Sequence, residues 1–285
     1  MTQTRRTFLA TIGVAALGVA NGCSTAVAAA GVPPRRKLSR IGLQLYTVRD
    51  QMKLDLPGTL ARVAAIGYNE VEFAGYFDRS PSEIRSLLSR YALTSPSAHI
   101  PYESIRTSWR KTLDDSKAIG HEWITIPWIP EEERRTLDGW KRVAAEYNKA
   151  AADAKAAGLR FAYHNHDFEL KKLGDVVPLD LLLEETDASL VGFEMDLYWM
   201  VKGGADPVEY FNRFPKRFPM VHVKDSAGAP EHRMGAVGEG SIDFRKIFAQ
   251  SEKAGIQHYF VEHDEPADPM ASSRTSYEYL RALEF

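Results

Sequence analysis

Cysteine is almost absent from this chain of 285 residues, and the single one, Cys23, lies near the amino terminus. The rest of the chain therefore has no thiol that could form a disulfide or act as a nucleophile. The formal net charge is −2, so there is no basic surplus of the kind that binds nucleic acid. No apolar run is long enough to cross a bilayer as a helix. No glycine-rich phosphate loop follows the first predicted strand, which argues against a nucleotide-binding fold.

The first 30 residues form a segment distinct from the rest. The paired arginines Arg5 and Arg6, within TRRTFLA, precede an apolar stretch to Ala20, and small residues follow. This order predicts a twin-arginine signal peptide over residues 1–30, and hence export to the periplasm. The sequence ANGC also allows lipid attachment at Cys23, with cleavage after the later alanines as the alternative. Residues 31–38 are then a linker, and the folded domain covers residues 39–285.

The rest of the chain repeats one unit, in which an alanine-rich helix ends at a glycine and a strand follows. Gly67, Gly120, Gly158 and Gly255 occupy the position just past a helix, where the left-handed conformation favours glycine. The alternation predicts a parallel sheet with helices outside it. Eight candidate strands follow one another: IGLQLYTV, EVEFAG, SPSAHI, WITIPW, RFAYHNH, VGFEMDL, PMVHVKD and HYFVEHD. Eight strands in about 250 residues predict a (β/α)8 TIM barrel, with a doubly wound open sheet as the alternative.

Polar side chains gather at the carboxyl ends of these predicted strands, where TIM barrels carry their active sites. Because strand side chains alternate between faces, residues two apart point the same way. Buried carboxylates and imidazoles are costly unless they are paired or bound to a metal. The convergence therefore predicts a site for one divalent ion of the Mn, Mg, Co, Zn or Fe kind. The residues concerned are Glu70, Glu72, His99, His164, His166, Glu194, Asp196, His222, Lys224, Asp225, Glu262, His263 and Asp264. For Glu70 and Glu72, pairing with a lysine or arginine is the alternative to lining the site.

The segments SAHIPY, YHNHDFE, FEMDLYW, MVHVKDS and FVEHDEP, in this order, resemble the sugar phosphate isomerase/epimerase family of xylose isomerase-like TIM barrels. The resemblance implies a metal ion bound by His164, Asp196, His222 and Glu262, although His164 stands where epimerases of the family carry glutamate. It further implies that Glu262 is the catalytic base. His166 is then an acid or a substrate contact, and Lys224 neutralises an enolate oxygen.

Four further residues are predicted to bind the substrate. His99 matches a histidine that lines the pocket of relatives, and Glu194 shares a strand face with Asp196. Trp199 stands where many relatives have a histidine, and it would stack on a sugar face. Arg233 lies in the long loop after the seventh strand. Trp128, just after the fourth strand, is a weaker candidate for substrate contact.

The resemblance predicts a metal-dependent sugar isomerase or epimerase. It would abstract a proton beside a carbonyl and pass through an enediolate that the metal stabilises. Because Glu262 is the only carboxylate left of the usual pair, a lyase or dehydratase is the alternative, acting on a keto-sugar, a cyclitol or a 3-keto-glycoside. The third hypothesis is a barrel that binds a sugar and has no catalytic activity. The expected partner is a small unphosphorylated carbohydrate rather than nucleic acid, and association into a homo-oligomer stays open.

Overall fold

The structure, a computed structural model, describes residues 35–285. The predicted signal peptide and Cys23 lie outside these residues, so export and lipid attachment remain predictions. Residues 35–285 contain no helix whose length and hydropathy would let it span a bilayer. At the start of the described part, the backbone N–H of Arg36 donates to the carbonyl of Phe285 at 2.7 Å, and the Phe285 N–H donates back to Arg36 at 3.0 Å.

Eight parallel strands close into a barrel, which confirms the predicted fold. The first strand is shorter than predicted, because the chain enters a 3-10 helix at Leu45–Val48 directly after Gln44. The barrel strands are β1 (Gly42–Gln44), β2 (Glu70–Phe73), β3 (Thr94–His99), β4 (Trp123–Ile126), β5 (Arg160–His164), β6 (Val191–Asp196), β7 (Met220–Val223) and β10 (His258–Val261). Around the barrel they lie in the order β1-β10-β7-β6-β5-β4-β3-β2.

Helices fill the connections between the strands. Side-chain caps set where several begin. Before the helix Pro81–Arg90, the Ser80 hydroxyl accepts from the Glu83 N–H while the Glu83 carboxylate accepts from the Ser80 N–H. The four glycines predicted to follow helices all have positive φ, between 82° and 123°. The helices are α1 (Arg49–Leu54), α2 (Leu56–Ile66), α3 (Pro81–Arg90), α4 (Ser104–Thr107), α5 (Trp109–Ile119), α6 (Leu137–Ala156), α7 (Pro178–Glu185), α8 (Leu197–Lys202), α9 (Pro207–Arg213), α10 (Phe244–Phe248), α11 (Ser251–Ala254) and α12 (Pro269–Ala282).

The long loop after β7 contains a small antiparallel pair that the sequence pattern did not predict, β8 (Asp225–Ser226) and β9 (Met234–Gly235). The Asp225 carboxylate accepts hydrogen bonds from the backbone N–H groups of Ser226, Gly238, Gly240 and Ile242, at 2.8 to 3.2 Å. A Cβ at Gly240 would lie 2.2 Å from Asp225 Oδ1, so only glycine fits there. One buried carboxylate therefore holds the backbone of the loop in place from Ser226 to Ile242.

The barrel interior beneath the polar residues is filled by a small apolar cluster of Trp123, Ala162, Met220 and Phe260. Gly42 makes room for it, because a Cβ there would lie 2.4 Å from the Phe260 ring. The Phe260 and His222 ring centroids are 6.2 Å apart, so this cluster forms the floor of the polar site. The larger core packs between the strands and the surrounding helices.

Candidate active site

The carboxyl ends of the strands bring carboxylates, imidazoles and one lysine together in the barrel mouth. Almost all of these side chains are fully buried, and His99 keeps only a small exposed fraction. They come from β2, β3, β5, β6, β7 and the residues directly after β7 and β10. The set is Glu72, His99, His164, Glu194, Asp196, His222, Lys224 and Glu262.

Glu194 is the centre of one group of possible metal ligands. Its Oε2 lies 2.7 Å from His99 Nε2, 3.1 Å from His222 Nε2 and 3.2 Å from His164 Nδ1. One ligand atom from each of these four side chains lies within 4.8 Å of the others. Glu194, predicted from sequence to bind substrate, thus lies among the side chains that could hold an ion.

Asp196, His222 and Glu262 form a second group, again with ligand atoms within 4.8 Å of one another. His222 Nδ1 lies 2.7 Å from Glu262 Oε2 and 4.0 Å from Asp196 Oδ2. His164 Nε2 lies 3.8 Å from the same Asp196 oxygen. The four ligands predicted from sequence are therefore neighbours, and His222 links this group to the one around Glu194.

Lys224 neutralises the acidic side of the site. Its Nζ lies 2.7 Å from Glu262 Oε2, 2.8 Å from Asp264 Oδ1 and 3.1 Å from Asp196 Oδ2. Burial alone would raise the pKa of Glu262, but Lys224 and His222 outweigh it and hold that pKa well below its usual range. Burial is the dominant cause for Asp196 and raises its pKa to about 6. Glu262 is thus an ionised carboxylate at neutral pH.

The histidines divide into two electrostatic classes. Burial alone would lower the pKa values of His99 and His222, but neighbouring carboxylates outweigh it and raise both. Burial lowers the pKa of His164 to about 3, with a further contribution from His222. Burial, His164 and Lys224 hold the pKa of His166 well below its usual range. His99 and His222 therefore retain a proton more readily than His164 and His166 do.

Several buried polar atoms in the site have no hydrogen-bond partner, a situation that folded proteins generally avoid. They are Glu72 Oε1, Glu194 Oε1, Asp196 Oδ2 and His164 Nδ1. His164 Nδ1 and Asp196 Oδ2 do lie within 3.2 Å of a charged neighbour, but without hydrogen-bond alignment. Free lone pairs on carboxylates and imidazoles are the ligands that divalent transition ions take. The residues present therefore fit a divalent cation.

Glu72 is a member of the site that sequence reasoning singled out only weakly, together with Glu70. Its Oε2 lies 2.7 Å from His222 Nε2 and accepts from Gln44 Nε2 at 2.8 Å. Glu70 begins β2 rather than ending it, and it pairs at the other end of the barrel with Arg40 and His258. The sequence signal that separates them is position along EVEF, since only the later glutamate reaches the carboxyl end.

The site opens into a cavity of about 670 Å³. His99, His164, His166, Lys224, Glu262 and Asp264 line its base. Trp199 lies beside the base rather than in the lining, with its ring centroid 5.5 Å from that of His166 and 5.7 Å from Lys224 Nζ. Arg233, predicted to contact substrate, is exposed on the hairpin loop and does not line this cavity.

The comparison with known proteins matches residues 60–283 to the family described as xylose isomerase-like TIM barrel. The chain belongs to this family. The predicted resemblance is thereby confirmed at the level of the family, and the closed barrel agrees with it.

Proteins similar to this xylose isomerase-like barrel include some named as dehydratases and others named as isomerases or epimerases. An inosose dehydratase from Geobacillus kaustophilus is 24% identical over 283 residues, covering 80% of this chain and 90% of that protein. A sugar phosphate isomerase/epimerase structure from Parabacteroides distasonis is 29% identical, with a TM-score of 0.74 over 86% of this chain and 98% of the other. An IolI protein with a bound zinc atom shares the fold, with a TM-score of 0.69, 14% identity, and coverage of 84% and 95%.

Proposed function

We propose that this protein is a divalent-metal-dependent lyase that removes water from a keto-cyclitol or a related keto-sugar. The name inosose dehydratase, shared by relatives from several genera, supports the lyase. That was the alternative expectation from sequence, and the isomerase or epimerase becomes the second candidate. The observation that carries the proposal is the asymmetry of the site, in which the ionised Glu262 is accompanied by His164 where epimerases carry a second glutamate.

His164, Asp196, His222 and Glu262 would hold the metal ion. When bound, such an ion supplies Lewis-acid stabilisation of the charge that develops on the substrate carbonyl oxygen. The chain itself supplies the neighbouring positive charge, because Lys224 lies within 3.1 Å of Asp196 and Glu262. Burial alone would lower the pKa of Lys224, but Asp196, Glu262 and Asp264 outweigh it and raise that pKa well above its usual value.

The elimination needs one base and one acid. Glu262 takes the proton from the carbon beside the carbonyl. The electron pair left on that carbon forms a carbon–carbon double bond as the next C–O bond breaks. The departing hydroxyl takes a proton from an imidazole and leaves as water, so the carbonyl oxidation state is unchanged.

His99 suits the role of acid better than His166, which was the expectation from sequence. Both rings line the base of the cavity. The carboxylates of Glu72 and Glu194 raise the pKa of His99 against the effect of burial, whereas burial lowers the pKa of His166. We therefore assign proton donation to His99, and hydrogen bonding to a substrate hydroxyl to His166.

The charge of the lining favours an unphosphorylated substrate. Within the described residues 35–285, Lys224 is the only lysine or arginine that lines the cavity, and it is already paired with Asp196, Glu262 and Asp264. Glu265 adds an exposed carboxylate at the rim. A phosphate group would find no free cationic side chain in this lining.

The test uses the metal-loaded protein with a keto-inositol in deuterium oxide, and mass spectrometry to detect both deuterium uptake and loss of water. The wild-type protein should incorporate deuterium into the substrate and also remove water from it. Glu262→Gln should lose both by roughly 100- to 10,000-fold, because it lacks the base. His99→Gln should still exchange deuterium but lose dehydration, whereas His166→Gln should weaken substrate binding. Unimpaired dehydration by Glu262→Gln would contradict the mechanism.

An isomerase or epimerase is the second candidate. The 29% identical sugar phosphate isomerase/epimerase structure favours it, as does the presence of Glu72 and Glu194 in the site beside Glu262. This reaction begins with the same proton abstraction, but the proton returns to carbon and no water leaves. An isomeric product that carries deuterium and has lost no water would select the isomerase over the lyase.

A further inference from the structure

The mouth of the cavity carries two exposed aromatic rings. Tyr46 is 42% exposed and Trp128 is 47% exposed, and both line the same cavity as the charged base. The third large apolar side chain that is exposed in residues 35–285 is Leu54, at 88%, and it lies outside the cavity. Exposed aromatic surface beside a concave site is typical of ligand contact.

Both rings are held in place although they face solvent. The Arg134 guanidinium lies 5.0 Å from the Trp128 ring, and Arg134 Nε donates to the carbonyl of Ile129 at 3.0 Å. The Trp128 ring also meets Phe168 edge-on, with centroids 4.9 Å apart. On the other side, the Arg49 guanidinium lies 4.1 Å from the Tyr46 ring and donates to the Asp264 carbonyl. Fixed rings cost little conformational entropy when a ligand binds.

The lining changes character from base to mouth. The base is ionic, whereas the rest of the lining is mostly apolar: besides the two rings and one carboxylate, Glu265, it includes Ala74, Tyr76, Ile100, Pro101 and Pro127. The cavity of about 670 Å³ lies in the middle of the range of small-molecule pockets, roughly 300–1,000 Å³. The polar base and the apolar mouth therefore suit different parts of one molecule.

We propose that the substrate carries a second ring, which binds between Trp128 and Tyr46 while the keto-polyol ring occupies the ionic base. The shared chemistry is a flat ring face, which either an aryl aglycone or a second sugar can offer. The inference rests on the proposed function for its reaction, but the subsite itself can be measured by binding alone.

The experiment is calorimetric titration of metal-loaded protein with three unreactive probes: myo-inositol, phenyl β-glucoside and cellobiose. At least one two-ring probe should bind roughly tenfold more tightly than myo-inositol. Trp128→Ala should remove that advantage without changing affinity for myo-inositol. Trp128→Phe should retain most of it, and Leu54→Ala should behave as wild type. Preference for phenyl β-glucoside identifies an aryl ring, and preference for cellobiose identifies a sugar; either supports the subsite.

Two results would overturn the subsite. One is equal affinity of the wild type for myo-inositol and both two-ring probes. The other is a Trp128→Ala variant, folded by circular dichroism, that keeps the two-ring advantage. Failure of the proposed function looks different, because the keto-inositol would then remain unreacted while the Trp128-dependent advantage of a two-ring probe persisted.

Discussion

Glu169 is a buried carboxylate that holds the turn behind the two histidines of YHNHDFE. Its Oε2 accepts from the backbone N–H of His166 at 2.9 Å, and its Oε1 accepts from the Tyr163 hydroxyl. In the same turn, Asn165 Oδ1 accepts from the Asp196 N–H at 3.1 Å. These contacts tie β5 to β6 beside the site. Glu169 does not itself line the cavity, whereas His166, whose N–H it binds, does, so we regard Glu169 as a positioning residue.

Replacing Glu169 with alanine should leave the His166 N–H and the Tyr163 hydroxyl buried without a partner. We expect a loss of about 2–3 kcal/mol in the free energy of unfolding, measured by urea denaturation. Glu169→Gln retains one acceptor oxygen and should lose less. If Glu169 positions His166, the Gln variant should also raise KM more than it lowers kcat. Equal stability of the alanine variant and wild type would contradict this role.

The loop between β7 and α10 is an element whose shape depends on Asp225. Four backbone N–H groups converge on this one carboxylate. Asp225→Asn offers one acceptor oxygen in place of two and should cost at least about 2 kcal/mol of stability. The loop should then become a site of rapid proteolysis, detectable near Gly238 by limited digestion. Glu239→Gln, an exposed change in the same loop, is the matched control and should resist digestion as wild type does.

His121 links β3 to the loop after β2. One ring nitrogen bonds the carbonyl of Ser95 at 2.7 Å, and the other lies 3.0 Å from the Tyr76 hydroxyl. Burial lowers its pKa from the usual 6.5 to about 4, so the folded protein holds this ring neutral. The unfolded chain takes up a proton below pH 6.5, which favours unfolding progressively as the pH falls towards 4.

His121→Gln should therefore reduce the loss of stability between pH 6.5 and pH 4. The difference should reach about 3 kcal/mol at the acid end, as the shift in pKa implies. Thermal unfolding of both proteins across that pH range measures it. Parallel curves for the two proteins would show that His121 does not titrate differently on folding. At pH 8 the variant should instead be the less stable protein, because it loses the bonds to Ser95 and Tyr76.

At the scale of the whole molecule, the site joins six of the eight strands through groups that would bind the metal or surround it. A ligand that binds only the folded state stabilises it by mass action, by about 4 kcal/mol when present at 1,000 times its dissociation constant. Removal of the ion by a chelator should therefore lower Tm by roughly 10 °C. Elemental analysis of the protein before and after treatment with the chelator identifies the ion.

His222→Ala is the matched variant for the metal, because His222 belongs to both groups of possible ligands. The purified variant should contain no stoichiometric metal, and its Tm should not respond to the chelator. A wild-type protein that carries no metal and gains no stability from Mn, Co, Zn or Fe would count against the site. Leu54→Ala should retain the metal content of wild type.

Local sequence patterns were enough to predict the barrel. Glycines past the helices, alternation within strands and the order of helix and strand all depend on backbone preferences that act over a few residues. For the same reason they placed His164, Asp196, His222 and Glu262 at strand ends. The hairpin of β8 and β9 escaped prediction, because its shape depends on hydrogen bonds that Asp225, in β8, accepts from N–H groups 13 to 17 residues further along the chain, and not on a repeating pattern.

By itself, then, the sequence determined the fold class, the strands and most of the polar side chains at the barrel mouth. Only the tertiary structure decided that Glu72 meets His222 across 150 positions of chain and that Arg233 stays outside the cavity. It also decided that Tyr46 and Trp128 share one rim. The physical reason is that the sheet closes into a barrel. The register between neighbouring strands sets which side chains meet, and in a closed barrel that register depends on all eight strands together.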